Sequence, residues 1–394
     1  MQRVARESAN ALAALSLAAS ALPGIVQSRE LVDETSVSVA YSTYGEDDIK
    51  QTALFIGDQE RYDIEVGQFR LLTRLDEETE VGVEYSYDDM SGASPWFLFP
   101  DGDDAIVAMS GATIKDERKD YALTVNRKAG ESIIGGRLRY SEENDYESWS
   151  YGLLVERAFN NALTTLNASI QMSDDRIDAT DADKYVGRPT GEDKRSWEYV
   201  LGISQVVDKF SVIRAAYTYS TASGYLSDPY KLSLVNFRLQ QDRRPDHRDS
   251  DAFTVGYTRY IEPLNGALDL SYRYFSDDWS IDSQTIEVSW HQNIGCCVSI
   301  KPFFRSYSQS QADFYAPFYR GSSVPDYYSS DFRLSAYNAS SWGAQLKYQL
   351  SNWSIALYGE RYTSGDEGLL KEKSNADPAL VDFNLFSVEL GYTF

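Results

Sequence analysis

The sequence is poor in the residues that staple small exported domains or build histidine-based sites. Its 394 residues include two cysteines and two histidines. Two cysteines exclude the disulfide framework on which small secreted scaffolds depend. Positive charge is also scarce: 37 Lys and Arg stand against 60 Asp and Glu, a formal net charge of −23. An acidic chain lacks the clustered cations that phosphate binding requires, so nucleic acid is excluded as a partner. Charge fits long acidic surface loops but says nothing about fold. Nor does any segment reach the roughly 20 consecutive apolar residues of a membrane-spanning helix.

The longest apolar stretch is short and N-terminal. Arg3 and Arg6 precede Ala11–Leu22, Pro23 and Gly24 break the run, and Val26 and Ser28 are small residues at an exit. A basic start, a short apolar core and a small-residue exit predict a secretory signal peptide over residues 1–28. No cysteine follows it, which argues against a lipoprotein. Residues 29–394 show no linker or composition break and are expected to form a single domain.

Aromatics are plentiful, at 29 Tyr, 17 Phe and 7 Trp. They accompany a period-two pattern. Val81, Val83, Tyr85 and Tyr87 alternate with Gly82, Glu84, Ser86 and Asp88. Ile134, Gly136, Leu138 and Tyr140 alternate with Gly135, Arg137, Arg139 and Ser141. Leu268, Leu270, Tyr272 and Tyr274 alternate with Asp269, Ser271, Arg273 and Phe275. One apolar face and one charged face, repeated along the chain, fit strands between lipid and a polar interior. Short turns near residues 75–78, 128–130, 160–162, 208–209, 263–266, 295–296 and 351–352 are separated mostly by longer polar stretches at 89–116, 174–194, 224–249, 313–329 and 364–381. Short periplasmic turns and longer outer loops are the asymmetry of an antiparallel transmembrane β-barrel. Seven turns and two inward-facing ends predict about sixteen strands, within a range of fourteen to eighteen. The last nine residues place Phe386, Val388, Leu390, Tyr392 and Phe394 on one strand face. That pattern resembles the terminal strand read by outer-membrane barrel-assembly machinery, with Val388, Leu390, Tyr392 and Phe394 as the signal.

Five phrases resemble a bacterial family catalogued only as a domain of unknown function: MSGASPW (90–96), GYLSDPYK (224–231), RPDHR (244–248), YSQSQADFY (307–315) and SDFRLS (330–335). The resemblance implies an exported outer-membrane barrel and transfers no catalytic residue. Its members' neighbours imply partners of association only: a small lipoprotein, a periplasmic thioredoxin-like protein and a flavin transferase.

Candidate chemistry is spread over four places. Period two puts Glu84, Arg137, Arg139, Asp269, Arg273, Glu287, His291, Lys301, Arg305 and Glu389 on inward faces, where charges either set a pore's selectivity or pair into a network. Tyr225, Asp228, Tyr230 and Lys231 of the 224–231 loop combine rings and charge near an outer rim and suit a constriction or cap, or else a self-packed turn. Asp101–Asp104 and Asp174–Asp183 offer oxygen donors, yet neither has the full spacing of a calcium-binding hand; no metal or cofactor is assigned. Cys296 and Cys297 are adjacent, and one peptide step is shorter than the usual Cα separation of a disulfide. They are therefore expected to pair with a partner, bind a soft metal, exchange with a thioredoxin-like protein, or fill a turn. His247 and His291 have no nucleophile elbow beside them, so catalysis is not expected. The leading expectation is a porin-like or accessory channel in the bacterial outer membrane. An anchor or delivery component of an envelope assembly comes second, and an outer-membrane enzyme third.

Overall fold

A computed structural model describes residues 31–394 except 103, 112–113, 186, 322–323, 367 and 369–376. The expected signal peptide lies outside the described residues.

Sixteen strands form a closed antiparallel ring. They are β1 (Ser36–Glu46), β2 (Asp63–Arg74), β3 (Thr79–Gly92), β4 (Ile114–Ala129), β5 (Ser132–Glu142), β6 (Tyr146–Phe159), β7 (Thr164–Asp178) and β8 (Thr190–Asp208). There follow β9 (Ser211–Gly224), β10 (His247–Ile261), β11 (Gly266–Asp277), β12 (Asp282–Ile294), β13 (Val298–Gln309), β14 (Tyr337–Leu350), β15 (Trp353–Gly365) and β16 (Phe383–Thr393). Each strand pairs with its neighbours in sequence, and β16 closes on β1. Closure leaves no edge of unpaired backbone groups, which lipid cannot solvate.

The closing register shows how the alternating pattern works. Val39 pairs with Leu390 and Tyr41 with Val388 on the outer face. On the inner face the Ser42 hydroxyl donates to that of Ser387 at 2.9 Å. The same division runs round the ring, leaving large side chains such as Leu201 (61 % exposed) and Trp342 (62 %) on the outside. Apolar surface displayed so continuously belongs against hydrocarbon. Tyrosines explain themselves here too: Tyr85, Tyr121, Tyr140 and Trp149 are cross-strand partners in one row over β3–β6, with ring centroids 4.6–6.5 Å apart. At the other end Trp353, Tyr392 and Phe394 form a second aromatic group. Two such bands mark the two interfaces of a bilayer.

One end of the ring carries the tight turns. Between β4 and β5 only Gly130 and Glu131 intervene, and Gly130 supplies the left-handed conformation (φ 63°) that such a reversal needs. The opposite end carries the long connections, with three departures from expectation. Residues 47–62 form an unforeseen long loop, while 143–145 and 278–281 are short turns. Strands also rise further than hydropathy suggests: β7 includes Asp174, Asp175, Arg176 and Asp178. Above the lipid both faces of a strand are polar, so the alternation that reveals it disappears. Within the loops, Leu54–Ile56, Pro95–Asp101 and Asp104–Met109 make a three-stranded sheet, and Leu232–Val235 pairs with Arg238–Gln241.

Candidate functional site

The inward charges are largely paired. Arg137 reaches Glu84 at 2.7 Å, and Arg70 approaches the same carboxylate at 3.4 Å. Arg139 pairs with Asp120 at 2.6 Å, Arg214 with Asp269 at 2.5 Å, and Arg305 with Glu287 at 2.9 Å. Arg273 lies 5.3 Å from the Phe275 ring centroid. His291 is exposed near the turn end, 3.3 Å from the Asn293 amide oxygen. Lys301 stands opposite Gln345, and Glu389 opposite Ala40 and Ala356.

The loop between β9 and β10 leaves the wall and crosses the lumen. Tyr230 is buried among Tyr44, Ile64, Val66, Met90 and Leu385. Those residues belong to β1, β2, β3 and β16, half the ring away from β9 and β10. Its hydroxyl donates to Asp145, in the β5–β6 turn. A loop that stayed at its own rim could not make these contacts. Asp228, Tyr230 and Lys231 thus come together in the interior, whereas Tyr225 remains half-buried at the loop's start, its N–H donating to Asp193 O at 2.9 Å.

Segments 90–96, 224–231, 244–248, 307–315 and 330–335 meet here. The Lys231 ammonium donates to the Pro95 carbonyl at 2.6 Å and sits 5.4 Å from the Phe332 ring centroid. Arg333 pairs with Asp228 at 2.7 Å. Arg244 bridges Asp242 and Asp331, each at 2.7 Å. The Gln309 amide donates to the Arg333 and Ser335 carbonyls at 3.0 and 2.6 Å. Tyr315 donates to Asp377.

Electrostatics divide these acids. Burial opposes ionisation of Asp331 and Asp228, but the Arg333 and Arg244 guanidiniums outweigh it and hold both carboxyls below the ordinary range. Burial prevails at Asp242, which is raised despite Arg244. It also lifts Asp377 to about 6, against the Tyr315 hydrogen bond.

Beside this cover lies a cavity of about 600 Å³. Its wall includes the hydroxyls of Ser148, Ser150, Ser173, Ser196, Ser220 and Ser250, the cations Arg118, Arg139, Lys194 and Arg248, and the rings of Phe275 and Trp279. The cations are backed by carboxylates: Arg118 by Asp88, Lys194 by Asp175 and Arg248 by Asp277. The wall therefore mixes polar and apolar surface in nearly equal parts, and its cations are largely neutralised by the carboxylates behind them.

Arg244, Asp331 and Arg333 escaped selection from sequence, although each stands in a segment singled out for resemblance. Their partners lie 87 and 105 residues away along the chain, and no local period encodes such contacts.

The cysteines require a correction. Cys296 and Cys297 are joined to each other in the β12–β13 turn, so neither is a free thiol. Their Cα atoms are 3.7 Å apart, a single trans-peptide step. The usual wider spacing applies to cysteines on separate chain segments; here the turn beginning at Gly295 (φ 64°) brings the two sulfurs together. The acidic runs also find protein cations: Asp174 pairs with Arg195, Asp175 with Lys194, Asp178 with Arg176 and Asp181 with Lys184.

The barrel is similar to solved outer-membrane proteins at very low identity. CdiB from Acinetobacter baumannii shares 9 % identity at a TM-score of 0.50, over 92 % of this chain and 60 % of its own. The chain thus spans less than two thirds of that relative. A BenF-like porin from Pseudomonas fluorescens Pf-5 shares 7 % identity at a TM-score of 0.45, over 92 % of this chain and 100 % of its own. At these identities the likeness concerns fold. No curated protein sequence matches this one. The closed ring, its lipid-facing girdles and the shared architecture place the protein in the bacterial outer membrane. A family model described as "Protein of unknown function (DUF3570)" matches residues 12–377, and the chain belongs to that family.

Proposed function

We propose that this barrel is a porin-like channel for a small, polar, hydroxyl-bearing solute, constricted by its own inward-folded loops. The observation that carries this reading is the cavity between the β4–β11 wall and the loop network, with its row of serine hydroxyls and backed cations. Such a wall offers many donors and acceptors to a hydrated solute, and the backing carboxylates leave its cations with little net positive field. Glu84, Arg137, Arg139, Asp269, Arg273, Glu287, His291, Lys301 and Arg305 shape the field of the lumen, and Asp228, Tyr230 and Lys231 form part of its constriction. Val388, Leu390, Tyr392 and Phe394 remain the residues proposed to engage the assembly machinery.

The reading is of a conduit rather than a catalyst. His247 pairs with Asp249 at the rim, 3.1 Å away, and His291 lies beside the Asn293 side-chain amide. Reconstitution in planar bilayers and swelling of sugar-loaded liposomes tests the proposal. Discrete conductance with faster swelling in small sugars is expected. Electrically silent barrels that also exclude small sugars, both as wild type and with the loop network loosened by Asp331→Ala, would refute it.

One observation favours a second reading, an anchor or delivery component working with a periplasmic thioredoxin-like protein and a small lipoprotein. A disulfide between adjacent residues in a tight turn is accessible to thiol exchange. Trapping a mixed disulfide on the turn would support it.

A further inference from the structure

We propose that Asp116, Glu143 and Asp145 form a binding site for one hard divalent cation, Ca2+ in the first instance, at the loop end of the barrel. Asp116 stands on β4, and Glu143 and Asp145 occupy the turn between β5 and β6. One carboxylate oxygen from each lies within 4.8 Å of the others. That spread is about twice a Ca–O bond of 2.3–2.6 Å, so a single ion reaches all three.

The second observation is at Glu143. Its Oε2 is buried and accepts no hydrogen bond among the described residues. The Glu143 side chain is half-buried, and a carboxylate oxygen shielded from solvent without a donor is left under-solvated. Asp116 and Asp145 set two further carboxylates beside it. The neighbouring cation, Arg118, is already bound to Asp88. A divalent ion would supply the positive charge this cluster lacks, and water from the adjoining cavity, which Glu143 lines, would complete its coordination. All-oxygen donors select calcium or magnesium rather than a soft metal.

The flanking contacts give the site a consequence. Asn144 donates to Asp116 at 2.5 Å, and Tyr230 of the lumen-crossing loop donates to Asp145. An ion bound here fixes the turn on which that loop rests. The site stands whether or not the barrel conducts. Among the described residues a second cluster, His247, Asp249 and Asp278, lies toward the surface with His247 already paired to Asp249.

The test uses the full barrel refolded from denaturant into detergent, free of lipopolysaccharide, stripped with chelator and titrated with radioactive Ca2+ alone. Saturable binding of one ion per chain is expected. Glu143→Gln and Asp116→Asn should each weaken it on the order of tenfold or more, because affinity follows ligand charge; Asp174→Asn should not. Calcium should raise the melting temperature of the wild type and not of Glu143→Gln. In chelator Glu143→Gln should melt no lower than wild type, since it removes a repelling charge; a carboxylate with a purely structural role would lose stability there. If Asp116→Asn does not fold, Glu143→Gln decides alone. Absence of saturable binding, or unchanged affinity in Glu143→Gln, overturns the assignment.

Discussion

Asp331→Ala should loosen the loop network without damaging the barrel. Asp331 is 1 % exposed and accepts from Arg244 at 2.7 Å, from the Arg333 Nε at 2.8 and 2.9 Å, and from the Arg333 backbone N–H at 3.1 Å. Its removal leaves two partly buried guanidiniums side by side, with Asp228 and Asp242 as their remaining anionic partners. Breaking a buried pair from one side costs about 3–5 kcal/mol. At about 1.4 kcal/mol per factor of ten, the open population of the loops rises by roughly two to four orders of magnitude. None of that energy belongs to the ring, whose strands are joined by backbone hydrogen bonds. Limited proteolysis of segments 225–246 and 310–336 reads the loops, and heat-modifiable migration on gels reads the barrel. Arg195→Ala is the control: its pair with Asp174 is exposed and worth about 1 kcal/mol or less. Faster cleavage with unchanged migration is expected for Asp331→Ala alone. Equal protease resistance in wild type, control and variant would refute the claim that this carboxylate holds the loops.

The register makes a separate prediction at β11. Leu270 faces outward and Ser271 inward, so Leu270→Arg should destabilise the folded barrel by about 2–4 kcal/mol near the bilayer midplane and Ser271→Arg much less; equal losses in denaturant titrations would contradict the assignment of faces. The disulfide turn predicts its own topology. On reduced whole cells a maleimide carrying a bulky polymer should label Cys296 and Cys297 only after the outer membrane is permeabilised, and labelling of intact cells would invert the barrel.

Legibility from sequence followed the lipid. Where a strand passes through hydrocarbon, alternation is enforced, and Leu268, Leu270, Tyr272 and Tyr274 could be read as one face from the residues alone. The sixteen-strand ring follows from that signal and from seven tight turns. At the loop end the constraint lapses, and β7 continues through Asp174, Asp175 and Arg176 with no apolar face to show it. The turn at 143–145 escaped notice for the same reason: Glu142, Glu143, Asn144 and Asp145 are polar throughout, and no change of pattern marks where the chain reverses. In the 224–231 segment Tyr225, Asp228, Tyr230 and Lys231 stood out by residue type, but what they touch was invisible because it lies across the lumen.

One trace of that crossing was present in the sequence all the same. Ile64, Val66, Met90 and Leu385 occupy inward positions, where the pattern of most strands calls for small, polar or charged residues. Taken singly each is an error of alternation. Taken on the ring they fall on β2, β3 and β16, beside Tyr44 of β1, and make one apolar patch inside a polar lumen. Water gains nothing by wetting such a patch, and lipid cannot reach it. Only another part of the chain can cover it, and Tyr230 does so, bringing a ring for the patch and a hydroxyl for Asp145. A cluster of apolar residues on the lumen face of adjacent strands is thus the mark of a docked loop, and its position on the ring tells how far that loop has travelled. Here it has travelled half the circumference, the greatest span the barrel allows, and a loop tied down at the far wall constricts the lumen more firmly than one folded back against its own rim.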